Sequence, residues 1–398
     1  MTSRDVLHAP IRMIRRLDRA FARRTDRRRI LVDSRTPVNY TMVAPVVRAL
    51  GADPRVEFYF TASEEPHRLQ EIYREAPAGT RLVHPKRAAL MRFDAYVASD
   101  FMWQTLARGG CRIQVFHGVA GKYGFDAPTR HMRPWDRIFF INRRRLQNFV
   151  RSGAIEADSP AIRLVGMPKA DAVVDGTYAR DAVVQQLGLN PARPVVLYAP
   201  TWSPESSLNS VGVDLVRALM RLPINVLVKL HDRSRDPRPR YSGGVDWTAA
   251  LQPLLTAGRG VLAPGHDISP YLVAADVMIT DHSSAGFEYL LRDRPLVRIH
   301  RPELIREANI HREYVELLAA ASTSTSAVDD TVRAVEQAIA DPAANSATRR
   351  AVAQDLFYSP GSATRRSVEA LYEAIELDPA SMQEALFEST EASCQRSA

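Results

Sequence analysis

Asp276 to Val297 reads DVMITDHSSAGFEYLLRDRPLV, and the fold follows from it. An apolar run ends at Asp281, two serines open a helix, Glu288 lies one turn in, and a second apolar run begins at Pro295. Strand, helix and strand at this spacing belong to a parallel sheet covered by helices. Backbone N–H groups at a helix start lack intrahelical partners and carry the positive end of the helix dipole. Ser283 and Ser284 are therefore placed to hold a phosphate, which suits a nucleotide-linked donor.

The same alternation extends in both directions. Candidate strands toward the N-terminus are 29–34, 56–62, 81–85, 95–99, 112–116 and 137–142, with helices expected at 37–50 and 65–75. Between Arg151 and Ile162 the apolar pattern lapses, and a linker is expected there. It resumes with strands at 163–166, 194–200, 224–230, 260–264, 276–281 and 295–299, which predict a second sheet of the same class. The low-complexity stretch AAASTSTSA (319–327) reads as a loop, followed by helices over 329–340 and 363–376. The expected organisation is an arm at 1–28, an N-terminal domain at 29–155, a C-terminal domain at 160–378 and a disordered tail at 379–398.

Composition is that of a globular protein, with 45% hydrophobic and 25% charged residues among 398. The chain has no apolar run long enough to span a bilayer and no secretory h-region, and its cysteines, Cys111 and Cys394, lack metal-ligand spacing. A reducing, cytoplasmic setting is expected. Much of the net charge of +8 sits between Arg12 and Arg29. As a helix, that segment shows an apolar stripe of Leu7, Ile11, Ile14, Leu17 and Phe21, so residues 7–29 fit either an anionic membrane surface or a solvated basic arm. Nucleic acid is disfavoured because no aromatics beyond Phe21 are interleaved.

In open parallel sheets, ligands bind beyond the carboxyl ends of the strands. Five loops with polar chemistry lie there: FHGVAGK (116–122), GMPKAD (166–171), YAPTWS (198–203), KLHD (229–232) and the Ser283–Ser284 turn. One comes from the first half and four from the second, so the expected site is a cleft between two facing parallel sheets. His117, freed by Gly118, is a candidate general base for an attacking hydroxyl. His231 is a candidate donor to a diphosphate oxygen, and Thr201 adds a hydroxyl and an amide. Lys229 reads as solvated or paired, and Trp202 either stacks on a base or caps the core. Glu288 either accepts ribose hydroxyls or lies on the surface, and Asp281 either caps the helix or orients a neighbour. GVAGKYG is not a phosphate loop, since Phe116 and Tyr123 occupy positions that need Gly and Ser or Thr. No Asp-x-Asp occurs in the chain, so no metal is expected and positive charge must come from side chains and helix ends.

These loops resemble those of the CDP-glycerol glycerophosphotransferase family, the teichoic-acid polymerases and primases. The family's Trp-His-Gly-Thr-Pro-x-Lys stretch is resembled by Phe116, His117, Gly118 and Lys122, and its Gly-x-Pro-Arg-x-Asp by Gly166, Pro168, Lys169 and Asp171. Tyr-Ala-Pro-Thr-Trp is matched at Tyr198 to Trp202, Lys-x-His-Pro at Lys229 and His231, and Thr-Asp-Tyr-Ser-Ser at Thr280, Asp281, Ser283 and Ser284. A looser match runs through Gly361 to Arg366. The resemblance implies a GT-B fold of two Rossmann-type domains and transfer of a polyol phosphate from a CDP-linked donor to a hydroxyl, with release of CMP. It implies that His117 is the base, that His231, Thr201, Ser283 and Ser284 hold the diphosphate, and that the second domain holds cytidine; His117 and His231 are then the expected catalytic pair, with Asp281 and Glu288 as further donor-binding candidates. Gly118 and Lys122 would serve a membrane-anchored or polymeric acceptor, and no cofactor is implied. Val119, Ala120, Ser203, Asp232 and His282 depart from the pattern, standing for Thr, Pro, Arg, Pro and Tyr. A nucleotide-sugar transferase or epimerase, and a non-catalytic scaffold for anionic lipid or polymer, are the alternatives; release of CMP rather than UDP or another diphosphate separates the polyol-phosphate transferase from the sugar enzyme.

Overall fold

This computed structural model describes residues 27–77, 79–106, 110–119, 133 and 135–379. The expectations for the arm up to residue 26 and for the tail from 380 onward lie outside those residues. Thirteen strands form two sheets among them. The first holds β1 (Arg28–Asp33), β2 (Val56–Thr61), β3 (Arg81–Leu82), β4 (Ala95–Ser99), β5 (Cys111–Val115), β6 (Arg137–Phe140) and β7 (Ile162–Leu164), in the order β3-β2-β1-β4-β5-β6-β7. The second holds β8 (Val195–Tyr198), β9 (Asn225–Val228), β10 (Gly260–Leu262), β11 (Val277–Thr280), β12 (Leu296–Ile299) and β13 (Thr323–Thr325), in the order β10-β9-β8-β11-β12-β13. All pairings are parallel. Strand order reverses between β1 and β4 and again between β8 and β11. Each reversal leaves a crevice at the carboxyl ends, where ligands collect in such sheets.

The helices that position the site are α1 (Pro37–Leu50), α2 (Arg143–Arg151), α3 (Pro168–Val174), α4 (Ser207–Leu219), α5 (Ser284–Tyr289), α6 (Val328–Ala340) and α7 (Ala363–Ala374). Helix α1 begins where Thr36 and Asn39 cap each other's backbone N–H groups and Pro37 presets the first turn. Its apolar face (Val43, Val46, Val47, Leu50) packs on Ile30 and Val32 of β1, while Leu31 faces the opposite core. Strands buried on both faces are apolar throughout, which explains their continuous runs in the sequence. In the second sheet Val196, Val226, Val228 and Ile279 pack with Leu215 and Val216 of α4 and Val335 of α6.

Three expectations are corrected. The strand at 163–166 was expected to open the second domain, but β7 pairs with β6 and closes the first sheet, so the lapse at 151–162 is a loop within that domain. Helix α7 was placed in the C-terminal domain; Val368, Leu371, Tyr372 and Ile375 instead join the core of the first, with Arg28 Nε donating to Ile375 O at 2.8 Å. The stretch read as a loop at 319–327 contributes β13, where Thr325 is buried beside β12. Its β-branched threonines suit an edge strand, a signal that repetition of small polar residues hid.

Candidate active site

On the first domain's wall the chain leaves β4 through Asp100 and Phe101, both in the left-handed region with φ of 52° and 62°. Such residues persist only where their surroundings hold them. Here Phe101 N donates to Gln114 Oε1 at 2.9 Å, Asp100 N donates to Val115 O at 3.1 Å, and the Phe101 ring packs on Phe116 and Phe149. The turn brings Asp100 to the end of β5, where His117 Nδ1 donates to Asp100 Oδ2 and Asn39 Nδ2 donates to the same oxygen at 3.0 Å. Burial works to raise the Asp100 carboxyl, but His117, Arg145 and Arg35 outweigh it and hold it below its ordinary value. An ionised Asp100 fixes the His117 tautomer and leaves Nε2 as the basic nitrogen. Arg145 of α2 donates to Gly118 O at 2.7 Å. A methyl group on Gly118 would lie 3.2 Å from Ser284 Oγ, so this loop sits directly against the second domain.

On the opposite wall, Ser283 caps α5 by accepting from Ala285 N at 3.3 Å. Asp281, expected to serve the donor, is fully buried beneath the cleft. Its carboxylate accepts from Thr201 N at 2.9 Å, Ser207 N at 3.0 Å and Ser207 Oγ at 2.9 Å, and so orders the loop between β8 and α4. His231 Nδ1 accepts from Arg233 N at 3.1 Å, which leaves the hydrogen of a neutral ring on Nε2. Lys229, read as solvated or paired, is buried in the wall with Nζ donating to Gly265 O, and burial pushes it down to about 8. Glu288 is neither a surface residue nor uncommitted, because Lys169 Nζ donates to its Oε2 at 2.8 Å with both side chains nearly inaccessible. Burial would lower the Lys169 ammonium, but Glu288 and Asp267 outweigh it and raise it. Trp202 lines the cleft, with the Arg233 guanidinium 4.3 Å from its ring centre.

Two motifs prove to be one joint. Asp171 of GMPKAD accepts from Gly361 N at 2.7 Å, Ala363 N at 3.1 Å and Thr364 N at 2.7 Å, holding the start of α7. Arg366 Nε answers by donating to Val165 O at 2.8 Å. Gly166, at φ 92°, sits so close to Tyr358 O that a Cβ would lie 2.7 Å from it.

One cleft brings together His117, Gly118, Thr201, His231, Ser283, Ser284 and Glu288. Lys122 lies outside the described residues. The cleft also holds Asp100, Lys169, Asp232 and His266, which the sequence reading did not single out as site residues. Asp100 carried a usable signal as the first residue past AYVAS, a carboxylate at a strand's carboxyl end. His266 follows no strand directly and carried none. Among the described residues no group of three metal-ligating side chains occurs.

The sequence pattern of the CDP-Glycerol:Poly(glycerophosphate) glycerophosphotransferase family matches residues 50–375. No curated protein matches the chain by sequence. Among solved structures, the wall teichoic acid polymerase TagF is similar at a TM-score of 0.64 and 16% identity, over 94% of this chain and 96% of that one. The S. aureus MnaA–UDP co-structure is similar at 0.54 and 14%, over 88% and 98%. The UDP-GlcNAc 2-epimerase from Neisseria meningitidis bound to UDP-GlcNAc gives 0.53 and 14%, over 87% and 100%. At these identities the likeness shows a shared GT-B fold. The family pattern is more specific, since it runs from the end of α1 through both sheets to the end of α7. By that match, the chain belongs to the CDP-glycerol:poly(glycerophosphate) glycerophosphotransferase family.

Proposed function

We propose that this chain transfers a polyol phosphate from a CDP-linked donor to an acceptor hydroxyl and releases CMP. The hydroxyl oxygen forms a bond to the phosphorus that bears the polyol, and the bond from that phosphorus to the bridging oxygen breaks with its electron pair leaving on CMP. His117 Nε2 takes the hydroxyl proton, with Asp100 holding the ring. His231 Nε2–H, the Lys229 ammonium and the Ser283–Ser284 turn stabilise charge on the departing phosphate, and Thr201 fixes its position. The observation that carries this reading is the close approach of the His117–Gly118 loop to Ser284 across one cleft. In this reading the base and the phosphate-binding turn stand on opposite sides of a single ligand.

Incubation with CDP-glycerol and a glycerophosphate acceptor, with nucleotides resolved by ion-exchange chromatography, should yield CMP. UDP or GDP released from sugar-nucleotide donors in place of CMP overturns the proposal. The acceptor we infer is polymeric or membrane-anchored, in surface-polymer synthesis at the inner face of the cell membrane, with the basic stretch from residue 7 up to the start of β1 meeting anionic lipid. Removing residues 1–26, which leaves β1 whole, should abolish sedimentation with anionic vesicles; retained sedimentation rejects that role for the arm. Among the described residues no helix is long and apolar enough to cross a membrane.

A further inference from the structure

The cleft holds a second histidine–carboxylate pair that the reaction above leaves unused. His266 Nδ1 lies 2.8 Å from Asp232 Oδ1, and both residues line the cleft beside His231. A carboxylate only accepts, so Nδ1 carries the hydrogen and Nε2 is the ring atom left for a ligand. The Asp232 side chain is 8% exposed, and its Oδ2 is buried without a protein hydrogen-bond partner. An ionised oxygen in that state is costly, and a ligand hydroxyl would supply the missing donor. Burial alone would raise the Asp232 carboxyl; the His266 hydrogen bond, His231 and Lys229 outweigh it and hold it below its ordinary value. The Lys229 ammonium offsets part of the carboxylate's repulsion of a phosphate. Across the domain boundary, Glu75 Oε1 accepts from His266 N at 3.1 Å, which ties the histidine's loop to the first domain.

We propose that Asp232 and His266 form the subsite for the polyol-phosphate end of the donor, His266 Nε2–H donating to a phosphate oxygen and Asp232 Oδ2 accepting from a polyol hydroxyl. The inference rests on the transferase reading and deepens it by assigning a ligand class, a phosphate ester of a polyhydroxy alcohol. Such a group needs a hydrogen-bond donor for its phosphate and an acceptor for its hydroxyls within one small volume, and this pair offers both. Donation to the phosphate oxygen uses the doubly protonated ring, with one hydrogen on Nδ1 toward Asp232 and one on Nε2 toward the anion.

Calorimetric titration of the full chain with CMP, CDP and CDP-glycerol tests the assignment. His266→Gln should weaken CDP and CDP-glycerol about tenfold while leaving CMP unchanged, the loss of one charge-assisted hydrogen bond. Asp232→Asn should reduce the preference for CDP-glycerol over CDP about fivefold. In the wild-type protein, CDP esterified to propanol, which lacks the free hydroxyls, should bind about tenfold more weakly than CDP-glycerol. Unchanged ratios in both variants, or equal wild-type affinity for the propanol and glycerol compounds, overturn the subsite alone. A wild type that prefers uridine or guanosine nucleotides over cytidine overturns the transferase reading and the subsite with it.

Discussion

The left-handed turn at Asp100 sets a carboxylate on His117 Nδ1, and the charge of that carboxylate can be removed without disturbing the turn, because asparagine also tolerates the left-handed region. Asp100→Asn should lower the kcat of CMP release by about 10² to 10⁴ with little change in donor KM, as should His117→Ala, and the double variant should be no worse than either. The pair also bears on stability. A carboxyl held below its unfolded value adds stability above about pH 3.9, which is lost as pH falls through the depressed folded value. The stability gap between wild type and Asp100→Asn in urea melts should therefore be full at pH 6 and shrink as the pH falls below about 3.9. Lys229 bears instead on ligand binding. Its ammonium, pushed down to about 8 by burial, loses its charge as pH rises through that value, so donor affinity should fall between pH 7 and 9. Lys229→Met should flatten the fall, read by calorimetry across that range. His117 and His231 were legible in the sequence because a histidine just past an apolar strand is placed by the sheet itself. The partners were not, since Asp232 meets His266 from 34 residues away and Lys169 meets Glu288 from 119. No local pattern encodes such meetings.

At the scale of elements, the strands that could be read were those whose both faces are buried, such as β1, β4 and β8, with their unbroken apolar runs. The strands misread or misassigned were the three-residue edges β7 and β13, whose burial is partial and whose sheet membership depends on which neighbour the chain returns to. The joint between α3 and α7 was visible only as two unconnected motifs. Its structural reason is that Asp171 satisfies three backbone N–H groups at the start of α7, groups a helix cannot satisfy itself. Asp171→Ala should cost about 3 kcal/mol in urea unfolding, with the CMP site otherwise intact. A loss under 0.5 kcal/mol would reject the joint as a stabilising contact.

For the whole molecule, two parallel α/β sheets were legible from alternation alone, but the partition of the chain between them was not. The chain enters the second domain through α3 and comes back through α7, and Tyr372 OH donates to Asp53 Oδ2 at 2.9 Å deep in the first. Ending the chain at residue 360 should therefore unfold the first domain although it leaves all seven of its strands. Val368, Leu371 and Ile375 each forfeit about 1.5 to 3 kcal/mol of burial. Limited proteolysis would register this as early loss of the segment from 28 to 164.

Because Asp171 clamps the outgoing and returning passages side by side, the two crossings form a single seam between the lobes. Cutting the clamp should free the crossings from each other and let the aim of His117 at the facing lobe wander.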